Sequence, residues 1–206
     1  MIILVDSRQK KGKHDRKHNY LKMQGHTLLT CKLPYGDYIN ASEIDDGLLL
    51  EIELLDFQYS KGEKPPVKRI TAVSNELLKL KPLSIDTKQD LQEVYGNVIS
   101  KHNTFHNECV LGGAQLLVLV EQEGVKSLSD VQHWKNPRLL NWYKIHNAQK
   151  AGKMLHMKIP KQPPVSSANL AKSMQTMSDK YGVSWQFCDK SETGKRIVEI
   201  LGGNMP

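Results

Sequence analysis

The stretch QLLVLVEQ at residues 115–122 carries five consecutive apolar side chains, Leu116 to Val120. Successive side chains of a strand point to opposite faces, so a strand that is apolar at every position must be covered on both. A sheet with one wet face is excluded, and helices have to supply the two covering layers. The rest of the chain provides both kinds of element. IILV (2–5), HTLLTCKL (26–33) and VSWQFC (183–188) read as further strands. Helical signals lie between them. Tyr20, Leu21 and Met23 precede a closing Gly25, and Ile70, Val73, Leu77, Leu78 and Leu80 give 70–81 an amphipathic period. QDLQEVYGNVIS and HNTFHNECVLGGA read as consecutive helices. SSANLAKSMQTMSDKYG has Ser166 or Ser167 as its cap and Gly182 as its stop, and SETGKRIVEILGG closes the chain. The expected class is α/β, a mixed central β-sheet flanked by helices.

The other segments are less regular. Asp37-Tyr38-Ile39 opens a third strand after the Pro34-Tyr35-Gly36 turn, and GLLLEIEL (47–54) reads as a fourth after Asp45-Asp46-Gly47. Strands so close in sequence predict antiparallel hairpins. SKGEKPPVKR (60–69) reads as a polar, basic loop, 127–143 as a loop with a helical turn or two, and about 149–165 as a flexible basic segment. No internal repeat is present. One domain over 1–206 is expected, with an insertion at about 44–82.

Composition narrows the function. The 29 Lys+Arg outnumber the 22 Asp+Glu, and a net charge of +7 attracts polyanions, of which nucleic acid is the usual one. Cys31, Cys109 and Cys188 form no CxxC pair, which argues against a disulfide framework and a zinc site. His14/His18 and His102/His106 lack a companion cysteine or an HExxH frame. No window of about eighteen apolar residues exists for a membrane span. The N-terminus runs from apolar to charged, the reverse of a secretory signal, so a cytoplasmic location is expected. No GxxxxGK[ST] or GxGxxG follows a strand.

Three predicted strands carry an acid at or beside an end: Asp6 after IILV, Asp37 before Tyr38, and Asp86 after Ser84-Ile85. Lys88 lies two residues beyond Asp86, on the same side of a strand. Hard cations such as Mg²⁺ take oxygen ligands, and two carboxylates with water and a phosphate oxygen make a suitable set. A lysine beside that cation can stabilise charge on a phosphate undergoing hydrolysis. Alone, DxK is a common charged strand end.

Four segments taken together are more specific. Val5-Asp6-Ser7-Arg8, Leu33-Pro34-Tyr35-Gly36-Asp37-Tyr38, Asp86-Thr87-Lys88 with Asp90, and Val120-Glu121 occur in one order over about 1–121. In that order they resemble the XPF-type nucleases of the PD-(D/E)XK superfamily. The resemblance implies a restriction-endonuclease-like core. It implies Asp37 and Asp86 as principal metal ligands, Asp6 as a further acid at the metal, and Lys88 as the catalytic lysine. Arg8 becomes a phosphate or structural contact. Asp90 is a trailing acid that positions the helix or the lysine, and Glu108 is either a supporting residue or a surface acid. The implied cofactor is Mg²⁺ (or Mn²⁺).

The departures are specific. The family's glutamate after Asp-Ser-Arg is Gln9, and the arginine before its lysine is Thr87. Asp37 and Asp86 stand 49 residues apart, which leaves Glu51 and Glu53 of the predicted fourth strand as rivals to Asp86. No helix-hairpin-helix module follows the core. Lys61, Lys64, Lys68 and Arg69 in one basic segment, and Lys150 and Lys153 in the other, are candidates for DNA phosphates. Tyr35, Tyr38, Trp134, Trp142 and Tyr143 are candidates either for stacking on unpaired bases or for packing. The expected activity is Mg²⁺-dependent endonuclease cleavage of branched or junction DNA in recombination, replication or repair, by a compact bacterial or phage protein acting as a homodimer or with a partner. Two alternatives stand beside it, a DNA-binding module of the same fold whose site has decayed, and a nuclease acting on single strands or RNA.

Overall fold

The protein, described here from a computed structural model, is defined for residues 1–10, 12–99 and 103–202. His102 of the His102/His106 pair, the join of the two predicted helices at Ser100 and the second closing glycine lie outside those residues. Six strands form one sheet: β1 (Ile2–Asp6), β2 (Thr27–Cys31), β3 (Tyr38–Asn40), β4 (Ser84–Lys88), β5 (Leu116–Glu121) and β6 (Ser184–Cys188), in the order β2-β1-β3-β4-β5-β6. The helices are α1 (Asp15–Met23), α2 (Asp46–Ser60), α3 (Val67–Leu80), α4 (Leu91–Ile99), α5 (Asn103–Gly112), α6 (Pro137–Lys150), α7 (Ser167–Tyr181) and α8 (Thr193–Leu201). No helix among the described residues is long and apolar enough to cross a membrane.

The mixed α/β class is as expected, but the hairpins are not. β1 and β2 are parallel, joined by α1, and β4, β5 and β6 are parallel to one another. Only β3 runs against its two neighbours. That reversal brings the start of β3 to the edge where β1 and β4 end. Every residue of β5 is buried. Its even positions pack with Leu91, Phe105 and Met174 under α4, α5 and α7. Leu117 and Leu119 join Ile3, Val5 and Ile85 under α1 and α8. A third cluster seats Leu4, Leu29 and Ile39 against Ile52, Leu55 and Leu77 of α2 and α3.

GLLLEIEL is a helix, not a strand. Apolar residues at seven of ten positions from Leu48 fit either element over a short span. The decision comes from Asp45, whose carboxylate caps the Leu48 N–H at 3.0 Å, and from the continuation to Ser60. Glu51 therefore pairs with Arg69 at 2.6 Å on the surface, and Glu53 faces solvent, so neither rivals Asp86. The basic loop shrinks to 61–66, because α3 begins at Val67. The segment 127–143 also differs: Asn136 caps the Arg138 N–H at 3.0 Å, and Pro137 opens the fourteen residues of α6.

Candidate active site at the strand ends

The turn before β3 is built to one geometry. Gly36 has φ +68°, and a Cβ there would lie 2.2 Å from Ser84 Oγ. Ser84 Oγ donates to the Tyr35 carbonyl at 2.9 Å, while the Tyr35 hydroxyl donates to the Pro82 carbonyl at 2.8 Å. Asp37 leaves this turn with its backbone bound on both sides. Its N–H donates to Ile85 of β4 at 2.7 Å, and its carbonyl accepts from the Asp6 N–H at 3.0 Å. The registers Val5↔Tyr38 and Tyr38↔Ile85, extended by one residue, set Asp37 opposite both Asp6 and Asp86. Three aspartates thus share one row across three adjacent strands, where opposed side chains come within about 5 Å.

They line one cleft of about 310 Å³ with Arg8, Lys88 and Glu108. Each carboxylate is held differently. Asp6 accepts from Arg8 Nε at 2.7 Å and from the Arg8 N–H at 3.2 Å, so both oxygens are engaged. Arg8 also reaches Glu108 of α5 at 3.2 Å and the Leu33 carbonyl at 3.2 Å, which makes it a clamp between β1, the turn and α5. Asp37 Oδ2 accepts from the Thr87 N–H at 2.9 Å and from its hydroxyl at 2.6 Å. Asp86 Oδ1 accepts from Lys88 Nζ at 2.9 Å. Asp86 Oδ2 is ion-paired with the same Nζ at 2.7 Å but accepts no well-aligned hydrogen bond.

Five carboxyls line the cleft, Asp6, Asp37, Asp86, Glu93 and Glu108, with four cations, Arg8, Lys10, Lys13 and Lys88, of which Lys13 is paired with Glu93 at 3.2 Å. No ion pair to Asp37 is formed among the described residues. Burial is the main influence on three of these carboxyls. Burial, ahead of the opposing pull of Lys88, pushes Asp86 up to about 6. Burial and then the Asp86 charge push Glu108 up to about 7. Asp6 is raised by burial despite Arg8. Burial works against the Lys88 ammonium, yet the Asp86 and Asp37 carboxylates hold its affinity for a proton above the usual lysine range. Such a site fits a hard divalent cation, which needs oxygen ligands and would favour the ionised form of these buried carboxyls. No three His, Cys, Asp or Glu side chains among the described residues are close enough to hold a metal by themselves. A cation held here would take a pair of carboxylates and complete its shell with water or phosphate oxygens.

The other sequence candidates divide. Asp90 caps α4, accepting from the Glu93 N–H at 2.8 Å, while Glu93 returns to the Gln89 N–H at 2.8 Å. Lys61, Lys64, Lys68, Arg69, Lys150 and Lys153 do not line the cleft. Tyr35 and Tyr38 are wholly buried and Trp142 nearly so, which makes them packing residues, and only Tyr143 of the five aromatics is exposed. Glu121 turns to the other face of the sheet and pairs with buried Lys17 of α1 at 2.5 Å. Beside that pair the Tyr38 hydroxyl meets His18 at 3.1 Å and His14 at 3.5 Å. Sequence reasoning missed this buried network, whose members lie on elements separated by up to a hundred residues.

Thr87 holds Asp37 through both its backbone N–H and its hydroxyl. Thr87→Val keeps the shape and the backbone donor but removes the hydroxyl. Its expected effect is a weaker site, with the half-saturating Mn²⁺ concentration in a thermal-shift titration rising about 10-fold, the scale for partners that orient a metal ligand. An unchanged titration would remove Thr87 from the site. Scanned against protein-family models and against curated proteins, the chain matches none, so the reading of this cleft rests on its own residues.

Proposed function

We propose that the chain is a divalent-metal-dependent DNA endonuclease with an XPF-type, restriction-endonuclease-like core, in which Asp37 and Asp86 hold Mg²⁺ (or Mn²⁺). The observation that carries the reading is the row of Asp6, Asp37 and Asp86 on three adjacent strands, with Lys88 beside Asp86 in the same cleft. The bound cation supplies Lewis acidity at a phosphate oxygen and a more acidic water. Lys88 keeps its proton and offers Nζ to the oxygens on which charge grows. Asp37 is oriented by Thr87 before substrate arrives. Glu108, with its carboxyl near neutrality, can hold or release a proton at the edge of the cleft. Asp6 and Arg8 fix the wall opposite. Branched or junction DNA in recombination, replication or repair, handled in the cytoplasm, is the substrate class the resemblance supports.

A separate feature supports a nucleic-acid partner. Residues 131–178 contain eight of the 29 basic residues and none of the 22 acids. The other 21 cations and 22 acids cancel to −1, so this one segment carries the whole net charge. All eight cations are exposed. The segment is anchored to α4 through Arg138, 5.4 Å above the Tyr95 ring, and through the Val165 N–H donating to the Tyr95 hydroxyl at 3.0 Å. Replacing Lys144, Lys150, Lys153 and Lys158 by Gln should flatten the dependence of log affinity on log salt by about 0.9 for each duplex phosphate that is no longer neutralised. Fluorescence anisotropy across a salt series reads this directly, and an unaltered slope would free the segment from any role in binding.

The activity test is incubation with labelled branched, duplex and single-stranded DNA and with RNA, with Mg²⁺ or Mn²⁺ present. Cleavage of branched DNA is expected. Binding without cleavage would instead support a catalytically silent DNA-binding module, and cleavage confined to RNA or single strands would move the substrate class.

A further inference from the structure

Helix α2 contributes nothing to the cleft, and one side of it is uncovered. Ile52 and Leu55 are buried against the sheet and α3. On the opposite side Leu50, Leu54 and Phe57 are 57%, 40% and 59% exposed. At 3.6 residues per turn, Asp46, Leu50, Leu54, Phe57 and Lys61 fall within an arc of about 80°. Lys61 reaches over the Phe57 ring at 5.3 Å without covering it. Helices with apolar residues all round are normally enclosed on every side, and this one is enclosed on half.

The order of residues along the stripe says what closes it. Leu50 and Phe57 lie equally far from a centre between Glu53 and Leu54, and so do Asp46 and Lys61. A stripe that is acidic at one end, basic at the other and apolar between is self-complementary when a second copy lies antiparallel across a two-fold axis. We propose that α2 is a homodimer interface, with Leu54 on the axis, Leu50 against the partner's Phe57, and Asp46 paired with the partner's Lys61. The flanking residues keep the same net polarity: Glu43 and Asp45 before the stripe are acidic, and after it Lys61 and Lys64 outnumber Glu63, all of them exposed. Exposed ion pairs add little affinity but fix orientation, which is their part here. Three apolar side chains per copy make a small interface, so the dimer is concentration-dependent and not obligate. The proposal gives Lys61 and Lys64 a protein partner, and it stands whether or not the cleft cuts DNA.

Sedimentation equilibrium over a range of protein concentrations tests it. The wild-type chain is expected to show a monomer–dimer equilibrium. Leu54→Glu should weaken dimerisation about tenfold or more, as disrupting a central contact does, and Asp46→Lys and Lys61→Glu should each weaken it by setting like charges opposite one another at both ends of the interface. Asp46→Lys combined with Lys61→Glu should restore it, because the exchange leaves every pair across the axis complementary. A wild-type chain that stays monomeric throughout overturns the second copy as occupant and leaves the stripe to another partner. A dimer unmoved by Leu54→Glu, or a double exchange that fails to restore association, overturns the interface. Should Leu54→Glu fail to fold, the surface exchange decides alone.

Discussion

Asp86→Asn is expected to abolish cleavage and to leave the metal-free protein as stable as before, or more so. The two effects have one cause. Asp86 is buried on β4 within reach of the Asp37 and Glu108 charges, and its carboxyl is pushed up to about 6 because burial outweighs Lys88. An amide of the same shape keeps an oxygen for the Lys88 Nζ and stands in for the protonated carboxyl, the form that burial favours at this position. Loss of a ligand to the reacting phosphate's cation should lower kcat by about 10³-fold or more, several kcal/mol of transition-state stabilisation. A residue kept for packing would behave in the opposite way, losing stability with activity. The measurements are single-turnover cleavage, DNA affinity and a thermal melt on the same preparation. Activity retained, or activity lost together with folding, would take Asp86 out of the proposed role.

How much of this was legible in the sequence depended on how local the deciding interaction is. LLVLV required two covering layers, and the structure supplies α4, α5 and α7 on one face and α1 and α8 on the other. Asp6 and Asp37 were visible as acids at strand ends, because a strand end is a local feature, whereas Asp86 read as a strand end and lies in the middle of β4, which runs on to Lys88. The alignment of the three in one row was not visible, since it depends on β3 alone being reversed. GLLLEIEL misled because a run apolar at most positions has no period, and the Asp45 cap was the signal that could have corrected it. Helix α6 was missed for the opposite reason: it buries only Trp142 and Ile145, so its apolar stripe is too thin to read, although Asn136-Pro137 is a start signal. Thr87 read as a lost arginine. Its hydroxyl turned out to be bound to Asp37, a partner fifty residues away that no spacing rule reaches.

A divalent cation should stabilise the protein more at pH 8 than at pH 5. Asp86 and Glu108 take their last protons off at about 6 and about 7 in the folded chain, above their ordinary carboxylate values. Between about pH 4 and 7 the folded state therefore holds more protons than the unfolded state, and these groups lower stability as pH rises through that window. His14 acts with the opposite sign. Burial, then Lys17, brings it down to about 4, so the unfolded chain binds its proton first and stability is gained as pH rises towards 6.5. His18, lowered by burial and then Lys22, adds to the gain. The two sets oppose each other in the metal-free protein, and a pH–stability curve alone would not separate them. The cation does, because it binds the carboxylates only after they have lost their protons. At pH 8, with Mn²⁺ at about 100 times its dissociation constant, linkage gives about 2.7 kcal/mol, or a rise in Tm of about 5–10 °C for a chain of this size. At pH 5 protons compete and the rise should be a small fraction of that. The double variant Asp37→Asn/Asp86→Asn should show no cation-dependent shift at either pH. Differential scanning calorimetry with Mn²⁺, with Mg²⁺ and with EDTA measures all three arms without any substrate. An equal shift at both pH values, or one that survives in the double variant, would mean that the cation binds elsewhere and that the row of aspartates is not its site.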